Sequence, residues 1–103
     1  MKLSETPIAG AWLLEIEPIL DERGFFARSL CVDTLAAHGL EGRMLQQSVS
    51  FNQKRGTLRG MHYQTAPHEE IKLVRVTQGR IYDVILDLRR DSPSYLRWHA
   101  VEL

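Results

Sequence analysis

A chain of 103 residues, 44% hydrophobic and 25% charged, carries enough apolar material for one modest core, so a single small domain over 1–103 is expected. Thirteen basic residues balance thirteen acidic ones, which excludes a global electrostatic footprint for nucleic acid or a membrane surface. The single cysteine, Cys31, excludes an internal disulfide and points to a reducing, cytoplasmic setting, and no apolar run approaches the roughly 20 residues of a membrane span.

Residues 1–10, with Pro7 and Gly10, read as a lead-in strand and turn. Ala11–Ile16 reads as a strand closed by Pro18 and the turn Asp21–Gly24, and Phe25–Leu30 as the next strand. One helical signal follows: Asp33 as N-cap, a body through His38, and Gly39 as the stop. His38 is expected as a surface group in its last turn. Met44–Asn52 alternates strongly and predicts a strand, and Lys54–Gly56 turns into another over Leu58–Gln64. Beyond Pro67, Ile71–Thr77 and Arg80–Leu88 predict a hairpin turning at Gln78–Gly79. Arg89–Ser94 is a polar loop with Pro93, and a last strand starts at Leu96. Six or more short strands with one helix near 33–38 predict an all-β antiparallel sandwich or barrel. The apparent last strand runs to Leu103, so a fragment of a longer protein is expected.

The chemistry concentrates between Gly56 and Gly79, where Arg59, His62, His68, Lys72 and Arg75 sit among alternating apolar residues. In a strand, Lys72 shares a face with Val74 and Val76, while Leu73 and Arg75 take the other. A lysine among valines suits a face that lines a polar cavity; the alternative is a solvated strand edge, where lysines guard against aggregation. Strand parity separates Arg59 from His62, so either Gly60 carries a bulge or only one of the two faces inward. His62 is a candidate general base or metal ligand, against the alternative of a hydrogen-bonded histidine in a barrel wall. Gly56 through His62 to Gln64, then Glu69 and Gly79, is similar to the first motif of the cupin barrels, whose metal ligands are two histidines and a glutamate. Gln64 replaces the second histidine, and an amide oxygen is a poor ligand for such metals, so no metal is expected. A metal-dependent cupin resting on His62, His68 and Glu69 is the competing enzyme class. Lys72 with Arg59 suggests an anionic ligand. Glu69 and Glu70 are expected as exposed loop carboxylates, and Asp83 and Asp87 as structural partners of Arg89 or Arg97.

The runs RGTLRGMHYQ at Arg55–Gln64, KLVRV at Lys72–Val76, GRIYDVILDLRRDSPSY at Gly79–Tyr95 and WHAVEL at Trp98–Leu103 resemble the dTDP-4-dehydrorhamnose 3,5-epimerase family. DERGFF at Asp21–Phe26 and the strand bearing Gln47 agree in order and spacing. The resemblance covers the chain from about Ile8 onward. It implies a cupin-type jelly-roll barrel, incomplete in this chain, with no metal or other cofactor, usually a homodimer. It implies a nucleotide-diphosphate sugar as substrate, a 4-keto-6-deoxy sugar whose C3 and C5 protons are both alpha to the ketone. By that resemblance His62 is the base and Lys72 stabilises the enolate oxygen. Arg59 and Arg23 hold the diphosphate, and Phe26 and Gln47 contact the nucleotide.

Two residues depart from the family's pattern. Arg28 stands where these enzymes commonly carry a glutamate and Val49 where they commonly carry an asparagine, which leaves the nucleotide and the sugar open. The family's proton-donating tyrosine, the aspartate that orients its histidine and a further histidine belong to a C-terminal part not matched here. None of Tyr63, Tyr82 and Tyr95 corresponds to that tyrosine. Residues 1–103 made alone are therefore expected to be inactive, and to dimerise, aggregate or stay partly unfolded. A non-catalytic sugar-nucleotide binding module is the alternative from another functional class.

Overall fold

Backbone pairing in the computed structural model, which describes all 103 residues, is confined to three antiparallel hairpins and one short helix. The chain divides into two compact units: Met1–Leu30 with Val74–Leu103, and Cys31–Leu73. No helix is long and apolar enough to cross a membrane.

In the first unit, β1 (Lys2–Glu5) pairs with β2 (Trp12–Glu15), setting Leu3 against Leu14 and the opposite charges of Lys2 and Glu15 against each other. The intervening turn is tied by Thr6, whose hydroxyl donates to the Ala11 carbonyl at 2.9 Å and accepts from the Ile8 amide at 3.2 Å. Gly10 closes it at φ 77°, a left-handed conformation costly for any residue with a Cβ. A second hairpin, β3 (Ile19–Asp21) with β4 (Gly24–Phe26), places Leu20 opposite Phe25. Pro18 follows the end of β2, as expected, and also directly precedes β3, a strand the sequence pattern did not mark; its missing N–H is tolerated at a strand's start. The strand expected over Phe25–Leu30 ends at Phe26, because no chain lies beside the backbone after it.

The third hairpin pairs β5 (Tyr82–Leu86) with β6 (Trp98–Glu102), and the ladder continues through the reciprocal bonds of Ile81 and Leu103 at 2.9 and 3.0 Å. Its long loop is built around Asp87, one of two buried polar residues. The Asp87 carboxylate accepts from Arg89 Nε at 2.8 Å, Arg89 Nη2 at 2.9 Å, Ser94 Oγ at 2.6 Å and Ser92 Oγ. The same groups reach the first turn: Arg89 Nη2 donates to the Ala9 carbonyl at 2.6 Å, and the Ala9 amide donates to Ser94 Oγ at 2.9 Å. The Arg89 guanidinium first, then the two serine hydroxyls, hold the Asp87 carboxyl far below the ordinary carboxylate range. Ile8, just 5% exposed, is buried beside this knot's anchor in the first turn. The sequence-based pairing of Asp87 with Arg89 is present.

In the second unit, α1 (Val32–Ala37) buries Leu35. Its N-cap is Cys31, without a side-chain cap bond, so Asp33 falls in the first turn. There its charge still favours the helix's positive end, although it cannot cap. The stop behaves as the sequence predicts: Gly39 at φ 70° donates to Ala36 at 2.9 Å and Leu40 to Leu35 at 3.0 Å, a Schellman ending. His38, at the C-cap, has its Nδ1 2.8 Å from the Thr34 carbonyl and is exposed.

Three expected strands are absent as paired structure. Met44–Asn52, Leu58–Gln64 and Ile71–Thr77 have no ladder partner, and β5 pairs with β6 instead of with Ile71–Thr77. Across residues 43–80 the backbone makes only the turn bonds Thr57 to Lys54 and His68 to Thr65. Alternation records which side chains share a face, but a strand exists only where a neighbour satisfies its N–H and C=O groups. Apolar side chains there face solvent, with Leu58 at 91% and Val49 at 94% exposure.

Candidate active site

Arg23 and Phe26 belong to the first unit; Gln47, Arg59, His62 and Lys72 belong to the second. Arg23 occupies the two-residue turn between β3 and β4, where the Asp21 carboxylate accepts its backbone N–H at 2.8 Å and its Nη2 at 2.6 Å. Aspartate at the start of a tight turn stabilises it in this way, and the adjacent guanidinium holds the Asp21 carboxyl below its usual range. Arg23 Nε also donates to Asp21 Oδ1 at 3.4 Å, and the remaining terminal nitrogen of this exposed side chain can meet a phosphate oxygen. Phe26 ends β4 with an exposed ring, the kind of flat apolar surface on which a nucleobase stacks.

In the second unit, Gln47 is exposed on an unpaired segment, and Arg59 donates through Nε to Asn52 Oδ1 at 2.7 Å. That bond fixes one edge of the guanidinium and leaves its two terminal nitrogens for an anion. Gly60 follows at φ 109°, with the His62 ring close by: a Cβ at Gly60 would stand 3.9 Å from His62 Nδ1. With no ladder here there is no bulge, and the parity argument separating Arg59 from His62 does not apply. Lys72 Nζ forms an ion pair with Glu70 Oε1, and the side chains are 55% and 47% exposed. With the Gln64 amide turned to donate, its nitrogen lies 2.6 Å from Glu70 Oε1 and 3.3 Å from Oε2.

Thus Gln64, Glu70 and Lys72 come together, whereas Arg59, His62 and Lys72 are not bonded to one another. Lys72 does not line an enclosed cavity; the nearby depression is open and lined by Tyr63, Gln64, Thr65 and His68. Glu70 is an exposed loop carboxylate, as expected, and it also pairs with Lys72. The sequence signal is a pair of opposite charges two positions apart, near enough along the chain for the side chains to meet. No three His, Cys, Asp or Glu side chains, His62, His68 and Glu69 included, converge in a group that could hold a metal ion.

A sequence profile described as dTDP-4-dehydrorhamnose 3,5-epimerase matches residues 5–103. Curated relatives of that name include one from Methanothermobacter thermautotrophicus, 40% identical over 96% of this chain and 52% of its own length. Another, from Shigella flexneri, is 36% identical over 100% of this chain and 57% of its own. A crystal structure of the Bacillus anthracis str. Ames enzyme of that name, with TDP and PPi bound, superposes with a TM-score of 0.92 at 42% identity, covering 99% of this chain and 58% of that one. The Elizabethkingia anophelis structure gives a TM-score of 0.93 at 35% identity, over 100% of this chain and 56% of that one. The chain therefore spans about half the length of the relatives it matches. Over that span its almost wholly β, cupin-like architecture with one short helix is theirs. A family profile covering residues 5–103, with close agreement in three dimensions, shows that this chain belongs to the dTDP-4-dehydrorhamnose 3,5-epimerase family.

Proposed function

We propose that the protein epimerises C3, C5 or both in a nucleotide-linked 4-keto-6-deoxy sugar, of the dTDP-4-dehydro-6-deoxyglucose type, in deoxysugar biosynthesis. In this reading residues 1–103 form the N-terminal part of one jelly-roll domain that works as a cytoplasmic homodimer. The observation that carries it is the match over residues 5–103 to a family named for this reaction.

A proton alpha to a ketone is acidic only because its loss delocalises charge onto the carbonyl oxygen. The reaction needs a base on the carbon and a donor at that oxygen. His62 is the base, taking the proton on an imidazole nitrogen, and Lys72 donates to the enolate oxygen. Arg59 and Arg23 clamp the diphosphate, which fixes the sugar ring relative to His62. Phe26 stacks on the base and Gln47 hydrogen-bonds the nucleotide end. These groups supply abstraction, enolate stabilisation and binding; the enolate carbon then takes a proton on its opposite face from the family's tyrosine, a role that none of Tyr63, Tyr82 and Tyr95 fills, and no redox step is involved.

The test follows the proton. The protein in its full natural length, incubated with dTDP-4-keto-6-deoxyglucose in D₂O, should exchange the C3 and C5 protons, read by NMR. Absence of exchange with this and other nucleotide-linked keto sugars would sink the reading. Calorimetric binding of dTDP without exchange would reassign the protein as a binding module.

A further inference from the structure

Glu70 lies between the two residues on which the proposed chemistry rests. It is two positions before Lys72, and it meets the amide of Gln64, two positions after His62. We propose that Glu70 is a positioning residue: its carboxylate clasps the Lys72 ammonium to the Gln64 amide and so sets the placement of Lys72 relative to the His62 segment. This rests on the roles proposed above for His62 and Lys72.

Geometry supports it. The Glu70 carboxylate meets the Lys72 ammonium and, with the amide turned to donate, the Gln64 side chain. A bond from Gln64 to Glu70 therefore ties the segment that carries Lys72 to the one that carries His62. Two acceptor oxygens allow Glu70 to hold both partners at once, and Gln64 is 2.6 Å from the oxygen that meets Lys72. The backbone supplies little alternative: the connecting stretch has a single turn bond, His68 to Thr65 at 2.9 Å, and no ladder. At about half exposure an ion pair of this kind adds little to folding, on the order of 0–1 kcal/mol. Its contribution is geometric. A lysine has four rotatable side-chain bonds, and an enolate donor must hold its nitrogen within hydrogen-bond reach of one oxygen. An open depression lined by Tyr63, Gln64, Thr65 and His68 lies beside the Gln64 end of the clasp.

The experiment compares Glu70→Ala, Glu70→Gln, Gln64→Leu and the control Glu69→Ala in the full natural chain. Two readouts are used. In the D₂O exchange assay Glu70→Ala should lower kcat by about 10–100-fold, the scale of a misplaced catalytic group, with KM changed by less than about threefold. Glu70→Gln, which keeps an acceptor oxygen, should recover part of the loss, and Glu69→Ala should behave as the parent. By NMR, the Lys72 Nζ and Gln64 side-chain amide signals should move together in Glu70→Ala and stay in place in Glu69→Ala. A parent that exchanges protons while Glu70→Ala exchanges them equally fast overturns the positioning role and leaves the epimerase reading standing. A parent that exchanges none overturns the epimerase reading and the catalytic consequence with it. Signals of Lys72 and Gln64 that ignore the loss of Glu70 overturn the clasp itself, whatever the turnover.

Discussion

Lys72 and the two arginines differ in what their present partners leave free. Arg23 spends Nη2 and Nε on Asp21, and Arg59 spends its Nε on Asn52, so each retains a terminal nitrogen for a diphosphate. Losing one charge-assisted contact to phosphate typically weakens binding by about 1.5–3 kcal/mol, so Arg23→Ala and Arg59→Ala should each raise the dTDP dissociation constant by at least about tenfold in calorimetry. An unchanged constant for either variant would remove that arginine from the site. Lys72→Ala should leave dTDP binding near the parent value while slowing proton exchange by about 10²–10³, because an oxyanion donor acts chiefly in the transition state. His62→Ala should abolish exchange and still bind.

At the scale of elements, two local devices can be tested without any substrate. Gly39 sits at φ 70° in the helix ending, where a Cβ is disfavoured, and the space around it is open. In the full natural chain Gly39→Ala should therefore destabilise by about 1 kcal/mol through backbone conformation alone, measured by urea unfolding. Asp87 joins the loop between β5 and β6 to the turn after β1, through Arg89 and Ser94 to Ala9. Its folded pKa is depressed, so its contribution is complete above the ordinary carboxylate value of about 4 and drains away as the pH falls below it. In the full natural chain Asp87→Asn should lower the thermal midpoint at pH 7 by several degrees. The gap between variant and parent should narrow as the pH falls from about 4 toward 2; a gap independent of pH would show that the charge is not what holds the loop. The β5–β6 loop was legible as a polar connector. Its anchor across 80 residues of sequence was not, because nothing in a local pattern marks Ala9 as the partner of Arg89.

For the whole molecule, the balance of apolar surface decides behaviour. Ile8 and Leu35 are buried, whereas Leu20, Phe26, Leu45, Val49, Phe51 and Leu58 are among many large hydrophobics left in solvent. Two-stranded hairpins are marginal in water by themselves, and every one of these has both edges open. Residues 1–103 by themselves should accordingly self-associate at micromolar concentration, detected by sedimentation velocity, and unfold without a sharp transition. A monomer that melts cooperatively would show that the exposed side chains find partners within the chain.

Residue pattern by itself determined the strand character of 1–5, 12–15, 82–86 and 98–102, the helix with its Gly39 stop, the turn bearing Arg23, and a run specific enough to point to one enzyme family. Those features depend on local propensity and on residue types at fixed spacing. Only the tertiary structure decided that β5 pairs with β6, that Met44–Asn52, Leu58–Gln64 and Ile71–Thr77 stay unpaired, that Asp87 reaches Ala9, and that Glu70 holds Lys72 beside Gln64. Alternation is a property of one strand, whereas a ladder, a buried carboxylate's donors and a clasp between segments are properties of pairs. A pair distant in sequence is selected by whichever backbone and side chains the fold brings within about 3 Å.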